Sequence, residues 1–297
     1  MGILIDSRTR VLIQGITGRE GRRSAALMAE YGTRIIAGVT PGKAGESVGG
    51  IPVFDSVEEA LQKAGHADAS VIFAPGVSVR EAACEALEAG IQLIVIVPDR
   101  VPLHDFLYVM AFAKERGAKL LGPNCIGICT AGEALIGMIG GSAETARSLF
   151  APGTVGIVSR SGGLASSAAH YISKAGLGVT SVVHVGGDSI VGLRMSDILV
   201  MFDRDPATKA ICLLGEIGSS QEEAAARTIV NGSGKKPVVA FLCGASAQPG
   251  VRYSHAAAIV NGGRGSYESK VSNLVAAGVH VVDSLSHLAT AVREVLK

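Results

Sequence analysis

Short apolar runs alternate along the chain with segments whose polar residues recur at helical spacing. In the first half the apolar runs are RVLIQGIT, TRIIAGVTP, ASVIFAP, IQLIVIVP and KLLGPNCIG, and helix-like segments such as EEALQKAG and VREAACEALEAG lie between them. The second half repeats the pattern with TVGIVSRSGG, VTSVVHVGGD, AICLLGEIG, PVVAFLCG and VHVVDSL, and ends on the helix-like SLSHLATAVREVLK. This alternation indicates strand–helix–strand units and therefore parallel sheets.

The two halves predict two doubly wound α/β domains. We expect a Rossmann-like domain over 1–129, a connection rich in Gly, Ala and Ser over 130–153, and a flavodoxin-like domain over 154–297. Ligands of open sheets bind at the carboxyl ends of the strands. The residues directly after each apolar run are therefore the candidates for chemistry.

Composition narrows the function classes. The chain has 27 basic and 26 acidic residues, a net charge of +1 and no long run of one sign, which argues against nucleic-acid or membrane binding. No apolar run approaches the roughly 18 residues that span a bilayer, so we predict a cytoplasmic protein, or an organellar protein after processing. The five cysteines include no Cys-x-x-Cys pair, and neither disulfides nor a metal site are expected.

A glycine-rich turn follows the first predicted strand. Gly15, Gly18 and Gly21 lie where that strand gives way to a helix, a pattern that favours binding of a nucleotide or CoA phosphate at the helix N-terminus. A dinucleotide site usually has an acidic residue about 20 positions later. Lys43 lies in that region instead, and its charge suits an extra phosphate such as the 3′-phosphate of CoA or the 2′-phosphate of NADP.

A second anion site is predicted at the start of the second domain. There a strand leads into a helix through Ser159, Arg160, Ser161, Gly162 and Gly163. Glu216 ends a later strand on the same sheet edge, where it is placed to orient an imidazole. The candidate imidazole is His255, and its small neighbours leave the ring accessible. His184, at another strand end, is either a substrate contact or a structural residue.

With these residues in view, the sequence resembles the alpha subunit of succinate–CoA ligase over essentially its whole length. The matching segments are QGITGREG, GVTPGKAG, GPNCIG, VGIVSRSGG, GGD, MFDRDPAT, GEIG, KKPVV and the segment that contains His255 and AAAIVNGGRG. The resemblance implies that acid, CoA and a nucleoside triphosphate react through an acyl phosphate and a phosphohistidine.

The resemblance also implies roles for particular residues. His255 matches the phosphorylated histidine, and Glu216 matches the carboxylate that steadies it. Contacts to CoA are implied for Thr17, Gly18, Arg19, Glu20, Lys43, Val97, Pro98 and Asp99. No phosphate-binding loop of the G-x-x-x-x-G-K-[ST] type occurs in the chain. The family therefore implies an ATP-grasp-type beta subunit that binds ATP or GTP with Mg²⁺, in an alpha–beta heterodimer or heterotetramer.

Departures from the family pattern lie at the expected acid site, to which Ser161, Gly162 and Gly163 are also assigned. Ser166 and Ser167 replace a tyrosine and a glutamate, and His184 precedes the Gly-Gly-Asp turn. These changes remove bulk and charge and add an imidazole. We therefore expect a short acid with a second anionic group other than succinate, for example malate or sulfoacetate.

Two alternatives to the ligase remain at this point. One is a non-catalytic CoA- or dinucleotide-binding regulatory module, in which the second domain is a docking surface and His255 is not phosphorylated. The other is an NADP-dependent oxidoreductase that uses the first domain, although the sequence reveals no hydride-transfer site for it.

Overall fold

The chain folds into two compact units. The computed structural model describes residues 2–232, 235–247, 251, 260 and 265–297. The first unit comprises Leu4–Cys129 and Glu133–Ala146, and the second comprises mainly Arg147–Lys297 with Thr130–Gly132. Among the described residues, no helix is both long and apolar enough to cross a membrane.

The first unit contains a seven-stranded sheet flanked by helices. Its strands are β1 (Arg10–Gln14), β2 (Arg34–Val39), β3 (Ser47–Val48), β4 (Ile51–Phe54), β5 (Ala69–Ile72), β6 (Leu93–Ile96) and β7 (Lys119–Leu121). Its helices are α1 (Arg19–Tyr31), α2 (Val57–Ala64), α3 (Val79–Glu88) and α4 (Leu103–Glu115). The apolar run of β5 and that of β6 are buried throughout, as expected for central strands covered on both faces.

The strand order confirms the predicted Rossmann-like arrangement. The order is β3-β4-β2-β1-β5-β6-β7, and every neighbouring pair is parallel except β3 and β4, which form an antiparallel pair. Without β3, this is the 3-2-1-4-5-6 order of dinucleotide-binding sheets. The order reverses between β1 and β5, so the crevice at their carboxyl ends is the expected ligand site.

The segment predicted as a connection contains regular structure. Strand β8 (Gly127–Thr130) reaches its start, strand β9 (Ala134–Gly137) lies within it, and helix α5 (Ala143–Leu149) follows. Frequent glycines in this segment obscured these short elements at the sequence level. The predicted boundaries at 129 and 154 stay a prediction.

The second unit has five parallel strands in the predicted flavodoxin-like order. They are β10 (Pro152–Ser159), β11 (Val179–His184), β12 (Ala210–Glu216), β13 (Val238–Cys243) and β14 (His280–Val282). The helices are α6 (Gly162–Lys174), α7 (Met195–Arg204), α8 (Gln221–Val230), α9 (Tyr267–Ala276) and α10 (Leu288–Val295). The order β11-β10-β12-β13-β14 is 2-1-3-4-5 in chain order. The carboxyl ends of β10 and β12 therefore meet at the switch point.

Candidate functional site

The glycine-rich turn of the first unit is a closely packed cradle between β1 and α1. Gly15 has a φ of 77°, and its N–H donates to the carbonyl of Val39 at 2.7 Å. A Cβ atom on Gly21 would lie 2.2 Å from the carbonyl oxygen of Gly15, so the first turn of α1 packs directly on the loop. Gly18 caps α1 without a side-chain hydrogen bond. The cradle thus depends on glycine for its backbone conformation and for its close packing.

A cavity of about 720 Å³ lies beside this cradle at the switch point of the first sheet. Its lining residues come from the loops after β1, β2, β4 and β5 and from the start of α3. They are Gln14, Gly15, Thr17, Gly18, Val39, Thr40, Pro41, Asp55, Phe73, Ala74, Pro75, Ser78, Glu81, Ala82 and Glu85. Its volume is in the range of small-molecule and cofactor sites.

Hydrogen bonds fix the polar part of the cavity wall. The amide nitrogen of Gln14 donates to the carbonyl of Ala82 at 2.8 Å, and the hydroxyl of Ser70 donates to the amide oxygen of Gln14 at 2.8 Å. The carboxylate of Glu85 accepts the N–H of Val57 at 2.7 Å. These bonds join β1, β5, α2 and α3, so the wall is largely preformed.

Two of the residues predicted to contact CoA line the cavity, namely Thr17 and Gly18. Arg19 and Glu20 begin α1 and pair with each other at 3.2 Å, with the Arg19 side chain 94% exposed. Lys43 lies outside the lining, but its N–H donates to Asp55, a lining residue, at 2.8 Å. Its ammonium pairs with Glu46 at 3.0 Å.

The other predicted contacts, Val97, Pro98 and Asp99, follow β6 and also lie outside the lining. They remain near this sheet edge, because a Cβ atom on Gly76 would lie 2.7 Å from the carbonyl oxygen of Asp99. Sequence reasoning missed the contribution of α3, including Glu81 and Glu85. The position of Pro75 and Ser78 after β5 was the available signal, since a strand end opening a helix marks a ligand edge.

In the second unit, helix α6 begins beside the switch point. Ser161 is its N-cap and accepts the N–H of Leu164, at 3.5 Å, while the Ser159 hydroxyl donates to the carbonyl of Ser161 at 2.8 Å. The first turn contains no acidic residue, Gly163 is exposed and Ser166 is half-buried. Free N–H groups at a helix N-terminus attract anions, so this turn suits a phosphate or a carboxylate.

Glu216 ends β12 next to this turn. Its carboxylate lies 3.8 Å from a terminal nitrogen of Arg160, and its N–H donates to the carboxylate of Glu222 at 3.1 Å. Burial and then the negative charge of Glu216 raise the pKa of the nearby Cys243 thiol. The backbone of Glu216 is therefore held at the carboxyl edge of the sheet, and its carboxylate lies near the guanidinium of Arg160.

His184 ends β11 and is 3% exposed. Its Nε2 atom lies 2.8 Å from the carbonyl oxygen of Arg160 and donates to it, because a carbonyl only accepts. This bond joins the ends of β10 and β11. The contact favours a structural contribution of the ring, and its predicted role in substrate binding stays a prediction.

His255 lies outside the described residues, but Cys243, which precedes it in the chain, and Gly265, which follows it, are both described. At the upstream end, the carbonyl of Cys243 accepts the N–H of Ile217 at 3.2 Å. At the downstream end, the carbonyl of Gly265 accepts the N–H of Gly218 at 2.7 Å. The chain therefore leaves and returns beside the loop that follows Glu216.

Family models match both units. A model described as a CoA binding domain matches residues 6–99, and one described as CoA-ligase matches residues 158–280. The first matched range contains the cavity, and the second contains the Arg160–Glu216 site.

Known proteins match this chain over all or nearly all of its length. Succinate–CoA ligase [ADP-forming] subunit alpha 2 of Archaeoglobus fulgidus is 46% identical over 296 residues, which covers 100% of both chains. A subunit of an ADP-forming sulfoacetate-CoA ligase from Acholeplasma sp is 42% identical over 283 residues, covering 95% of this chain and 94% of that one.

Among solved structures, ATP citrate lyase of Methanothrix soehngenii in complex with citrate and coenzyme A superimposes with a TM-score of 0.91 at 28% identity. The match covers 99% of this chain and 50% of the lyase chain, so the present chain spans half of that protein. Together with the two family models and the full-length relatives, the sheet orders and the cavity lead to one assignment. The chain belongs to the family of succinate–CoA ligase alpha subunits, which are CoA-binding acid–thiol ligase subunits.

Proposed function

We propose that the chain is the alpha subunit of a nucleoside-diphosphate-forming ligase that joins a short anionic carboxylic acid to CoA. In the forward direction, a nucleoside triphosphate transfers its γ-phosphoryl group to the imidazole of His255 and leaves as the diphosphate. The acid carboxylate takes this group to form an acyl phosphate. The CoA thiolate then attacks the acyl carbon and inorganic phosphate leaves, which gives the acyl-CoA.

The observation that carries this proposal is the meeting of chain segments at Glu216. Both described ends of the segment with His255 bond to the loop after Glu216. A carboxylate bonded to one imidazole nitrogen favours the tautomer whose other nitrogen is nucleophilic, and it stabilises the positive charge that develops on phosphorylation. The N-terminus of α6, capped by Ser161, offers N–H groups to the phosphoryl oxygens.

Binding of CoA fits the first unit. The cradle of Thr17 and Gly18 presents helix N–H groups to the pyrophosphate, and the cavity has room for the adenosine or pantetheine part. The end of β2 and the loop after it, Val39, Thr40 and Pro41, include no carboxylate for a ribose hydroxyl. Lys43 lies just beyond them and is proposed to contact the 3′-phosphate, with Arg19, Glu20 and the 97–99 turn completing the site.

The acid is proposed to carry a second anionic group. The N-terminal part of α6 has the small residues Gly162, Gly163 and Ser166 where bulk would restrict the site. A subunit of a sulfoacetate-CoA ligase is among the relatives, which supports an acid of this kind. We therefore propose malate, sulfoacetate or another short dicarboxylate analogue in preference to succinate.

The nucleotide and its Mg²⁺ are proposed to bind a beta subunit of the ATP-grasp type, in a heterodimer or a heterotetramer. Several relatives are named as alpha subunits, which supports a heteromeric assembly. Cytoplasmic localisation stays a prediction.

The test is phosphorylation of the chain in complex with its ATP-grasp partner. Incubation with γ-labelled ATP is expected to give an acid-labile, base-stable label on His255. The label is expected to be lost in His255→Ala and retained in His170→Ala, which removes an exposed histidine from α6. An unlabelled wild-type complex that still binds CoA would instead support the regulatory module.

A further inference from the structure

Arg160 joins two loops at the carboxyl edge of the second sheet. It directly follows β10 and its side chain is fully buried. One terminal nitrogen donates to the hydroxyl of Ser219 at 2.7 Å, in the loop after β12. The other donates to the carbonyls of Gly187 at 3.3 Å and Asp188 at 3.1 Å, in the loop after β11. A single guanidinium therefore holds both loops.

The positive charge of Arg160 places an electrostatic requirement on the site in addition to packing. An arginine remains protonated inside a protein, and a buried cation needs an opposite charge nearby. The carboxylate of Glu216, at 3.8 Å, supplies one. The Nε atom of Arg160 has no hydrogen-bond partner among the described residues. Since a buried ion pair with an unsatisfied donor adds little stability, the bonds of Arg160 to the two loops point to a positional role.

The shape of the loops supports the same reading. Ser219 has a φ of 52°, a left-handed conformation that a non-glycine residue keeps only when its surroundings hold it there. The Arg160 bond to its hydroxyl is one such hold. Because the guanidinium is planar and rigid, a displacement of the 187–188 carbonyls moves the nitrogen that faces Ser219 and Glu216.

We propose that Arg160 is a positioning residue that couples the acid-side loop, residues 187–188, to the carboxylate of Glu216. This inference rests on the proposed function, which assigns Glu216 to the histidine, and on the sequence prediction that the turn containing Gly187 and Asp188 lies at the acid site. Binding of the acid against the 187–188 turn thereby sets the orientation of the carboxylate that serves phosphoryl transfer. The coupling requires that one planar guanidinium bonds both loops at once, because two separate contacts would not transmit a displacement from one loop to the other.

The kinetic test uses the complex with the ATP-grasp partner, and succinate and sulfoacetate as probe acids. Arg160→Gln is expected to slow labelling of the chain by ATP, without acid, by about 100-fold, since misplacement of about 1 Å has effects of that size. It is also expected to raise KM for the acid by about tenfold, because loop carbonyls lose their donor. Glu216→Gln is expected to slow labelling alone.

Arg160→Lys tests whether the two-sided geometry of the guanidinium matters or only its positive charge. An ammonium retains the charge but does not span both loops, so this variant is expected to restore at most one of the two parameters. Arg227→Gln removes an exposed guanidinium from α8 and is expected to change neither. The proposal is overturned if Arg160→Gln leaves labelling or KM at the wild-type value, or if lysine restores both.

Hydrogen exchange measured by mass spectrometry keeps the inference separate from the proposed function. Arg160→Gln is expected to accelerate exchange in the peptides that contain 185–190 and 216–221 together, whereas Arg227→Gln is expected to accelerate neither. Absence of labelling in the wild-type complex would contradict the proposed function. Unchanged exchange in either loop of Arg160→Gln would contradict the hold of Arg160 on that loop, whatever the labelling result.

Discussion

The backbone N–H of Glu216 donates to the side-chain carboxylate of Glu222 at 3.1 Å, so the end of β12 is fixed by the first turn of α8. Glu222 is fully buried and pairs through its other oxygen with the fully buried ammonium of Lys270 in α9. Lys270 also lies 3.5 Å from the carboxylate of Glu223. The backbone at Glu216 is thus held by a buried cluster of three charged residues.

Removal of the Lys270 charge is expected to destabilise the second unit strongly. Lys270→Met leaves buried carboxylates without their cation, which costs about 3–5 kcal/mol. The double variant Glu222→Gln with Lys270→Met is expected to be less destabilised than Lys270→Met alone. Denaturant unfolding measures both, with the exposed Lys297→Met as the control that changes stability by less than about 0.5 kcal/mol. Equal stability of Lys270→Met and wild type would contradict the buried pair.

Gly21→Ala is expected to weaken CoA binding. Its Cβ atom would lie 2.2 Å from the Gly15 carbonyl oxygen, so the start of α1 must shift away from the cradle. Overpacking of this kind costs about 1–3 kcal/mol. Calorimetric titration with CoA measures the loss, and Arg23→Ala on the exposed side of the same helix serves as control. An unchanged affinity of Gly21→Ala for CoA would contradict the proposal that the cradle is part of the CoA site.

Lys43 is expected to distinguish CoA from dephospho-CoA, which lacks the 3′-phosphate. Lys43→Ala is expected to weaken CoA binding about fivefold, or about 1 kcal/mol, because the ammonium is half-exposed and the ion pair is screened. Binding of dephospho-CoA is expected to stay the same. Lys63→Ala, in α2, is the control for general loss of positive charge. If Lys43→Ala weakened the binding of CoA and of dephospho-CoA equally, Lys43 would not contact the 3′-phosphate.

The reactivity of Cys243 with iodoacetamide is expected to depend on Glu216. Burial and then the Glu216 charge raise the pKa of this thiol, so its thiolate fraction is low at pH 8 and increases as the pH rises. Glu216→Gln removes the repulsive charge, lowers the thiol pKa and is expected to speed alkylation at pH 8. Peptide mass spectrometry measures the rate at Cys243 across pH 7–10. A rate that Glu216→Gln leaves unchanged would contradict the proximity of the two groups.

The preferred acid is expected to differ from succinate. Succinate, malate and sulfoacetate are compared by kcat/KM for acyl-CoA formation with the complete alpha–beta complex. One of the latter two acids is expected to give the higher value, since small residues replace bulk and charge near Ser166. The highest value for succinate would overturn this expectation while leaving the ligase assignment intact.

Much of the fold was predictable because its signals are local. Period and length of the apolar runs predicted ten of the fourteen strands found among the described residues, and glycines at 15, 18 and 21 predicted the cradle. The β3–β4 pair escaped because β3 has only two residues, too few to show a period, although the two-residue loop Gly49–Gly50 between Val48 and Ile51 is a hairpin signal. The contribution of α3 to the cavity also escaped, since facing residues of a cavity are not neighbours in sequence.

The sequence by itself determined the two α/β units, the glycine turns and the family resemblance, because periodicity and motif spacing are properties of short stretches. The tertiary structure decided how close the side chains at those strand ends lie. With β10 beside β12, side-chain packing brings a terminal nitrogen of Arg160 to 3.8 Å from the carboxylate of Glu216. Burial likewise decided that Arg160 and Lys270 are internal charges, because solvent exclusion depends on the packing of distant elements around them.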